Sequence, residues 1–358
     1  MMPRIERHTA LQPASFSAYS DIIDVRSPAE FAEDRIPGAV NLPVLDNDER
    51  AQVGTMYVQQ SRFRARRLGA ALVSANISRH LQTFLAGKSA DYRPLIYCWR
   101  GGMRSDAMAT VLSAIGWRVS VLDNGYKAWR RQVVFALRED PVPLKVVLLD
   151  GQTGTAKTRI LQTLAQCECQ TLDLEGLAKH RGSVFGHHAG DPQPSQKFFE
   201  SKLWWVLSEF DLQRHIIVEA ESNLIGRRLI PDRLASAMQS APRIEVWAEL
   251  KERARYLVRA YGDVITDTRG LAASINALRP FHARATIEHW LTLAAQEEFE
   301  HLAADIAQQH YDPLYSKQRH SQPLVTIHTD VLEQAGIAAT AKRIAAVVAG
   351  LEAGKSTI

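Results

Sequence analysis

Cysteine is scarce: the 358-residue chain holds three, Cys98, Cys167 and Cys169. Three cannot build the disulfide framework of a small secreted domain, and they fit a reducing compartment. No run of about 18 apolar residues occurs, so no membrane-spanning helix is expected. The opening MMPRIERHTALQPASF lacks the apolar core of a secretory leader. Neither sign of charge dominates: 43 basic residues stand against 39 acidic, a net +4. That balance permits a nucleic-acid partner without demanding one. No internal repeat and no low-complexity tract is present. With 46% hydrophobic and 23% charged residues, a disordered or fibrous chain is excluded. The expectation is a cytoplasmic protein of about two domains, with no membrane partner.

What is present is an alternation of short apolar runs and helical patterns. Ile22–Val25, Pro94–Cys98 and Val119–Leu122 read as buried strands. Between the last two, Met108, Val111, Leu112 and Ile115 recur at i, i+3, i+4 and i+7, one apolar helix face. Strand, helix, strand implies a parallel sheet with crossover helices. LREDPVP (Leu137–Pro143) is charged and holds two prolines, so it should be extended. The domain boundary is placed there, giving domains 1–138 and 139–358. The strand-helix pattern then restarts with KVVLLDG, HIIVEA and RIEVW as strands. Phe199, Leu203, Val206 and Phe210 mark a helix, and the stretch 279–310 reads as helical and mixed in charge. The last residues, GLEAGKSTI, read as a frayed end.

Two loops carry chemistry. In YCWRGGMRS, Cys98 ends a strand and precedes a helix, with Gly101 and Gly102 between. Glycines let the backbone curl its amides inward as an anion-holding nest. A thiol there, near a helix N-terminus and beside Arg100 and Arg104, is set up as a nucleophile able to carry a second chalcogen atom. The plainer reading is a small apolar cysteine ending a core strand. Trp99 either stacks on a base or shields the loop. Cys167 and Cys169 have no partner pair for a zinc site, so they read as structural and no metal is expected.

The second loop, Gly151, Gln152, Thr153, Gly154, Thr155, Ala156, Lys157 and Thr158, lies between a strand and a helix. It is close to the G-x-x-x-x-G-K-[ST] phosphate loop, whose amides, helix N-terminus and lysine hold a phosphate or diphosphate. Its departure is Ala156, in place of the second glycine. Position 156 lies at the helix start, where glycine is expected to cost up to about 1 kcal/mol of helix stability against alanine. Glu219 and Glu221, after the HIIVE strand, either assist a metal or base or form a solvated turn. HRGSVFG, PQPSQKFFE (with Ser195 as N-cap) and HYDPLY are polar segments without general motif chemistry. Two basic clusters, Arg62, Arg64, Arg66 and Arg67, then Lys251, Arg253, Arg255 and Arg259, suit a nucleic-acid backbone; each also reads as a solvated helix face.

IIDVRSPAEF, IPGAVNLP and CWRGGMRS together resemble the rhodanese family. Cys98 matches its sulfur-carrying cysteine, while Asp24 and Arg26 match an element expected to be structural. Followed by the phosphate loop, LDLEGLAKHRGSVFG, PQPSQKFFE, VEAES and HYDPLY, the chain is similar to the tRNA 2-selenouridine synthase family from about Asp21 to Tyr315. The resemblance implies an α/β chain: an N-terminal rhodanese-like parallel-sheet domain, then a P-loop NTPase-like α/β domain with added helices. It further implies a selenotransferase that geranylates a wobble 2-thiouridine from geranyl diphosphate, then exchanges the S-geranyl group for selenium from selenophosphate. Cys98 would be catalytic and the loop from Gly151 to Thr158 would bind substrate. The tRNA anticodon stem-loop would be a partner, with a selenophosphate-supplying enzyme another. No tightly bound cofactor is expected, and magnesium is left open. The competing expectation is a thiosulfate-type sulfurtransferase with an accessory nucleotide-binding domain.

Overall fold

The structure, a computed structural model, describes residues 5–181, 185, 191–314 and 322–354. Part of HRGSVFG, the end of HYDPLY and the last four residues of GLEAGKSTI therefore lie outside the described residues. The described residues fall into two compact α/β units, one within Met1–Asp140 and Pro194–Glu209, the other within Pro141–Gln193 and Phe210–Ile358.

In the first unit, β1 (Glu6–His8), β2 (Asp21–Asp24), β3 (Val40–Asn41), β4 (Pro94–Tyr97) and β5 (Ser120–Leu122) form a parallel sheet in the order β1-β5-β4-β2-β3. The helices that accompany them are α1 (Pro28–Glu33), α2 (Asn47–Gln59), α3 (Arg62–Gln82), α4 (Met103–Ile115) and α5 (Gly125–Val134). All four residues of β4 are buried, as a central parallel strand covered on both faces requires. On α4, Met108 and Leu112 enter the core as their spacing predicts. Ile115 does not: it is half-exposed at the last turn, just before Gly116 ends the helix in the left-handed conformation (φ +112°).

The second unit contains β6 (Val146–Asp150), α6 (Lys157–Ala165), β7 (Gln170–Leu172) and α7 (Leu174–Ala178). After α8 (Gln196–Leu207), which packs with the first unit, come β8 (Ile216–Glu219), the hairpin β9 (Leu224–Ile225) and β10 (Arg228–Leu229), α9 (Asp232–Gln239) and β11 (Arg243–Trp247). A helical group follows: α10 (Leu250–Ala260), α11 (Gly262–Thr266), α12 (Thr268–Ala277), α13 (Arg284–Ala295) and α14 (Phe299–Ile306). The described chain closes with β12 (Val325–His328) and α15 (Gln334–Glu352). The parallel sheet runs β12-β11-β6-β8-β7. Ile160, Leu161 and Leu164 of α6 join its core, and Leu271, Ile275, Ile287, Trp290 and Leu302 make a separate helical core. No described helix is long and apolar enough to cross a membrane.

Two expectations change. The joint expected to be extended from Leu137 is instead helical through a π-type turn, Phe135–Glu139, and extends only at Asp140 (φ −63°, ψ 118°). Asp140 directly precedes Pro141, whose ring disfavours the helical conformation there. The boundary at 138/139 also misplaces the segment 194–209, which belongs with the first unit. The cause is aromatic packing. Trp129 of α5 is fully buried, 4.5 Å centroid to centroid from Trp204, and its indole donates to the Ser201 hydroxyl at 3.1 Å. Ser195 does cap α8, accepting from the Phe198 amide.

Candidate functional site

The two motif loops occupy equivalent places, each following the central strand of a five-stranded parallel sheet. Ligands of open parallel sheets bind at the carboxyl ends of strands, where loops and helix N-termini converge.

Cys98 directly follows β4 and is buried. The Ser105 hydroxyl, on the first turn of α4, lies 3.3 Å from its sulfur and accepts from the Gly102 amide at 3.1 Å. The Cys98 carbonyl accepts from the Tyr126 amide at 2.8 Å, and the Trp99 carbonyl from the Lys127 amide at 3.0 Å. The start of α5 therefore braces the loop. That contact depends on Gly125 (φ +51°), where a Cβ would lie 2.1 Å from the Cys98 carbonyl oxygen. Gly101 (φ +63°) is equally confined, since its Cβ would lie 2.7 Å from the Asn124 amide. The expected charges differ in availability. Arg100 is exposed, whereas Arg104 is paired with Glu30 at 2.8 Å. Asp24 and Arg26 form a buried ion pair at 2.6 Å, with the guanidinium 4.1 Å from the Tyr126 ring centroid. The same guanidinium lies 6.0 Å from the ring centroid of Trp99 in the loop. Trp99 is partly exposed and tilted on Tyr126, 5.1 Å between centroids.

In the second unit, the phosphate loop leaves β6 through Gly151 (φ +152°) and Gly154 (φ +87°). At Gly151 a Cβ would come within 2.6 Å of the Val246 carbonyl. Asp150 fixes the loop's first residue by accepting from the Gly151 amide at 2.7 Å, and is itself held by Arg243 at 2.8 Å. Ala156 adopts the left-handed conformation (φ +61°, ψ 27°) immediately before α6. The position therefore retains the backbone shape that favours glycine, and the alanine methyl is buried in the core. The Lys157 ammonium donates to the Gly151 carbonyl at 2.6 Å, and the Thr158 hydroxyl to Glu175 at 3.0 Å. A cavity of about 590 Å³ opens here, lined by residues 153–159 of the loop and helix start together with Glu175, Glu219, Glu221, Tyr256 and Arg259.

Glu219 is not part of a solvated turn, whereas Glu221 is half-buried. Glu219 is 1% exposed, and neither carboxyl oxygen has a hydrogen-bond partner among the described residues. Burial pushes Glu175, Glu219 and Glu221 well above the usual carboxylate range. Mutual repulsion reinforces the shift, while Lys157 opposes it. Arg253 and Asp312, distant in sequence, also join this site. The Arg253 guanidinium is buried, forms two bonds of 2.9 Å to Asp312, and donates to the Thr153 carbonyl at 3.1 Å. It clamps the phosphate loop and is not the free cation that the basic cluster suggested. Arg255 is likewise paired, with Glu252 at 2.6 Å. By contrast Arg62, Arg64, Arg66 and Arg67 are all exposed on the first turns of α3. Glu175 and Asp312 are not singled out by sequence; Arg253 stands only as one member of the second basic cluster, and Asp312 lies within the HYDPLY segment.

Comparison with known proteins is consistent across both units. A family model described as the tRNA 2-selenouridine synthase AAA domain matches residues 144–275, and a rhodanese-like domain model matches 9–132. The chain is similar to the tRNA 2-selenouridine synthase of Nitrosomonas europaea, with 34% identity over 81% of this chain and 76% of that one. It is similar to the Psychromonas ingrahamii synthase at 33% identity, covering 72% and 69%. The synthase of Shewanella denitrificans is 36% identical over 68% of this chain, and the chain spans 65% of that relative's length.

Proposed function

The chain belongs to the tRNA 2-selenouridine synthase family, and from that premise we propose that it replaces the sulfur of a tRNA 2-thiouridine with selenium. The observation that carries this reading is the pairing of two loops in one chain of that family, a cysteine loop and a phosphate loop, each after a central parallel strand.

The reading has two chemical steps. Thiocarbonyl sulfur is a poor leaving group, so it is first alkylated by geranyl diphosphate. The C1–O bond of the geranyl ester breaks, a C1–S bond forms, and the uridine N3 proton is released. Diphosphate departs with the bonding pair, and Lys157 with the loop amides stabilises its charge. Glu175, Glu219 and Glu221, when protonated, adjoin this anion without repelling it. In the second step a selenide equivalent from selenophosphate adds to C2. Geranylthiolate leaves, and water takes the phosphoryl group as phosphate. Cys98 is assigned the handling of selenium. Selenium stays at the selenide level from selenophosphate to C2, so this step forms no selenosulfide on Cys98 and needs no oxidant or reductant.

The test is nucleoside mass spectrometry of 2-thiouridine tRNA incubated with the protein, geranyl diphosphate and selenophosphate. S-geranyl and selenium nucleosides are expected; unchanged thiouridine overturns the reading. Cys98→Ser should retain geranylation and lose selenouridine.

A further inference from the structure

Beside the phosphate-loop cavity lies a second, apolar slot of about 90 Å³ among the helices of the same unit. Leu257 of α10, Ile265 of α11, Leu271 of α12, and Leu302 and Ile306 of α14 line it. Thr153, Leu257, Tyr261 and Tyr311 border both spaces, so the slot adjoins the phosphate loop. The contact is intimate: a Cβ on Gly154 would lie 3.0 Å from Leu257 Cγ and 2.9 Å from the Arg253 carbonyl oxygen. No side chain at Gly154 separates loop from slot. Leu271, Leu302 and Ile306 also belong to the helical core, with Ile275 and Trp290 fully buried among them. Packed side chains of the helical core therefore form one wall of the slot.

We propose that this slot holds the hydrocarbon tail of a short prenyl diphosphate whose diphosphate sits in the phosphate loop. The inference rests on the alkylation step above and assigns it a place. One ligand must be anionic at one end and apolar at the other to fill both spaces. A nucleoside triphosphate does not match, because a base carries donors and acceptors around its edge. Thr153, Tyr261 and Tyr311 alone among the slot's lining residues carry polar side-chain atoms, and all three lie at its border with the loop cavity. A base driven deeper would leave polar atoms unpaired, which is unfavourable. A branched hydrocarbon loses nothing there and gains by leaving water.

Calorimetry with inorganic diphosphate, geranyl diphosphate and ATP tests the assignment, using the full chain and two variants, Ile265→Trp and Ile265→Asp. Ile265 is half-buried and outside the packed helical core. The indole fills the slot and the carboxylate makes it polar, and unchanged binding of inorganic diphosphate reports that the loop is intact. The unmodified chain should bind geranyl diphosphate at least tenfold more tightly than diphosphate, and both variants should lose that preference. If the preference survives both substitutions, the tail lies elsewhere: the slot is wrong and the alkylation reading stands. If the unmodified chain shows no preference for the geranyl ester, the alkylation reading fails and the slot assignment with it. ATP binding that is tighter than geranyl diphosphate binding and is lost in both variants would overturn the assignment in favour of a nucleotide.

Discussion

Ala156 shows how one backbone angle reverses an expectation. In a helix interior, glycine at this position would be destabilising, but Ala156 caps α6 in the left-handed region (φ +61°). There alanine carries roughly 1–2 kcal/mol of strain that glycine avoids. Against this, glycine gives up a buried methyl worth about 0.8 kcal/mol and adds unfolded-chain freedom of about 0.5–1 kcal/mol. These nearly cancel, so Ala156→Gly should move the melting temperature by less than about 4 °C and leave diphosphate affinity unchanged. A larger fall in a thermal melt would mean that methyl packing dominates. The three carboxylates give a sharper signal. Glu175 and Glu219 are pushed up to about 8 and Glu221 to about 7, whereas an unfolded glutamate titrates near 4.3. Between those limits the folded chain holds protons that the unfolded chain has released, so these groups lower stability as pH rises from about 4.3 to about 8. The same ionisation places negative charge beside the phosphate loop. Affinity for inorganic diphosphate in chelator should therefore fall from pH 6.5 to 8.5, and Glu219→Gln should reduce that fall. Equal pH profiles for the two proteins would show that Glu219 does not feel the ligand.

At the scale of elements, the cysteine loop depends on a glycine that its own motif does not contain. Gly125 opens α5 at φ +51°, with no room for a Cβ against the Cys98 carbonyl. Gly125→Ala should destabilise the first unit by about 2 kcal/mol or more, and alkylation of Cys98 by iodoacetamide should quicken as the loop opens. Wild-type melting and reactivity in this variant would mean that the brace is dispensable. The same loop marks the limit of what sequence makes legible. The strand before Cys98, the helix after it and the glycines between are local signals, with periods and turn residues that read directly. Gly125 is 27 positions away and belongs to the site only because β5 returns parallel to β4. Arg253 reads as one more cation in KERARYLVR, and only its meeting with Asp312 and the Thr153 carbonyl makes it a loop clamp. Ile115 fits the helical period yet is half-exposed, because it is the helix's last residue, directly before the left-handed Gly116.

For the whole molecule, a net charge of +4 says little about where an RNA would bind, because it counts paired and exposed cations alike. Arg253 and Arg255 are committed to carboxylates, while Arg64, Arg66 and Arg67 project from one exposed helix start. If these three meet tRNA phosphates, replacing all three with alanine should flatten the slope of log affinity against log salt by about 2–3, at roughly 0.7–0.9 per contact. An unchanged slope moves the RNA path off α3. Domain organisation yields the last test. The first unit is discontinuous in sequence, because its core takes α8 from 194–209. Trp129 is buried against Trp204 and bonded to Ser201, and Glu200 receives Arg130 and Arg138. A fragment of residues 1–140 keeps the whole five-stranded sheet and the Cys98 loop but uncovers this aromatic face. Losing packing on a large buried aromatic costs about 3–5 kcal/mol, a large share of the 5–15 kcal/mol that holds a typical domain folded. The fragment should melt at much lower temperature than the full chain, or without a cooperative transition. Inactivity of such a fragment as a sulfurtransferase would then reflect an incomplete core rather than the chemistry of Cys98. A cooperative melt matching the full chain's first transition would show instead that α8 adds nothing to this unit's stability.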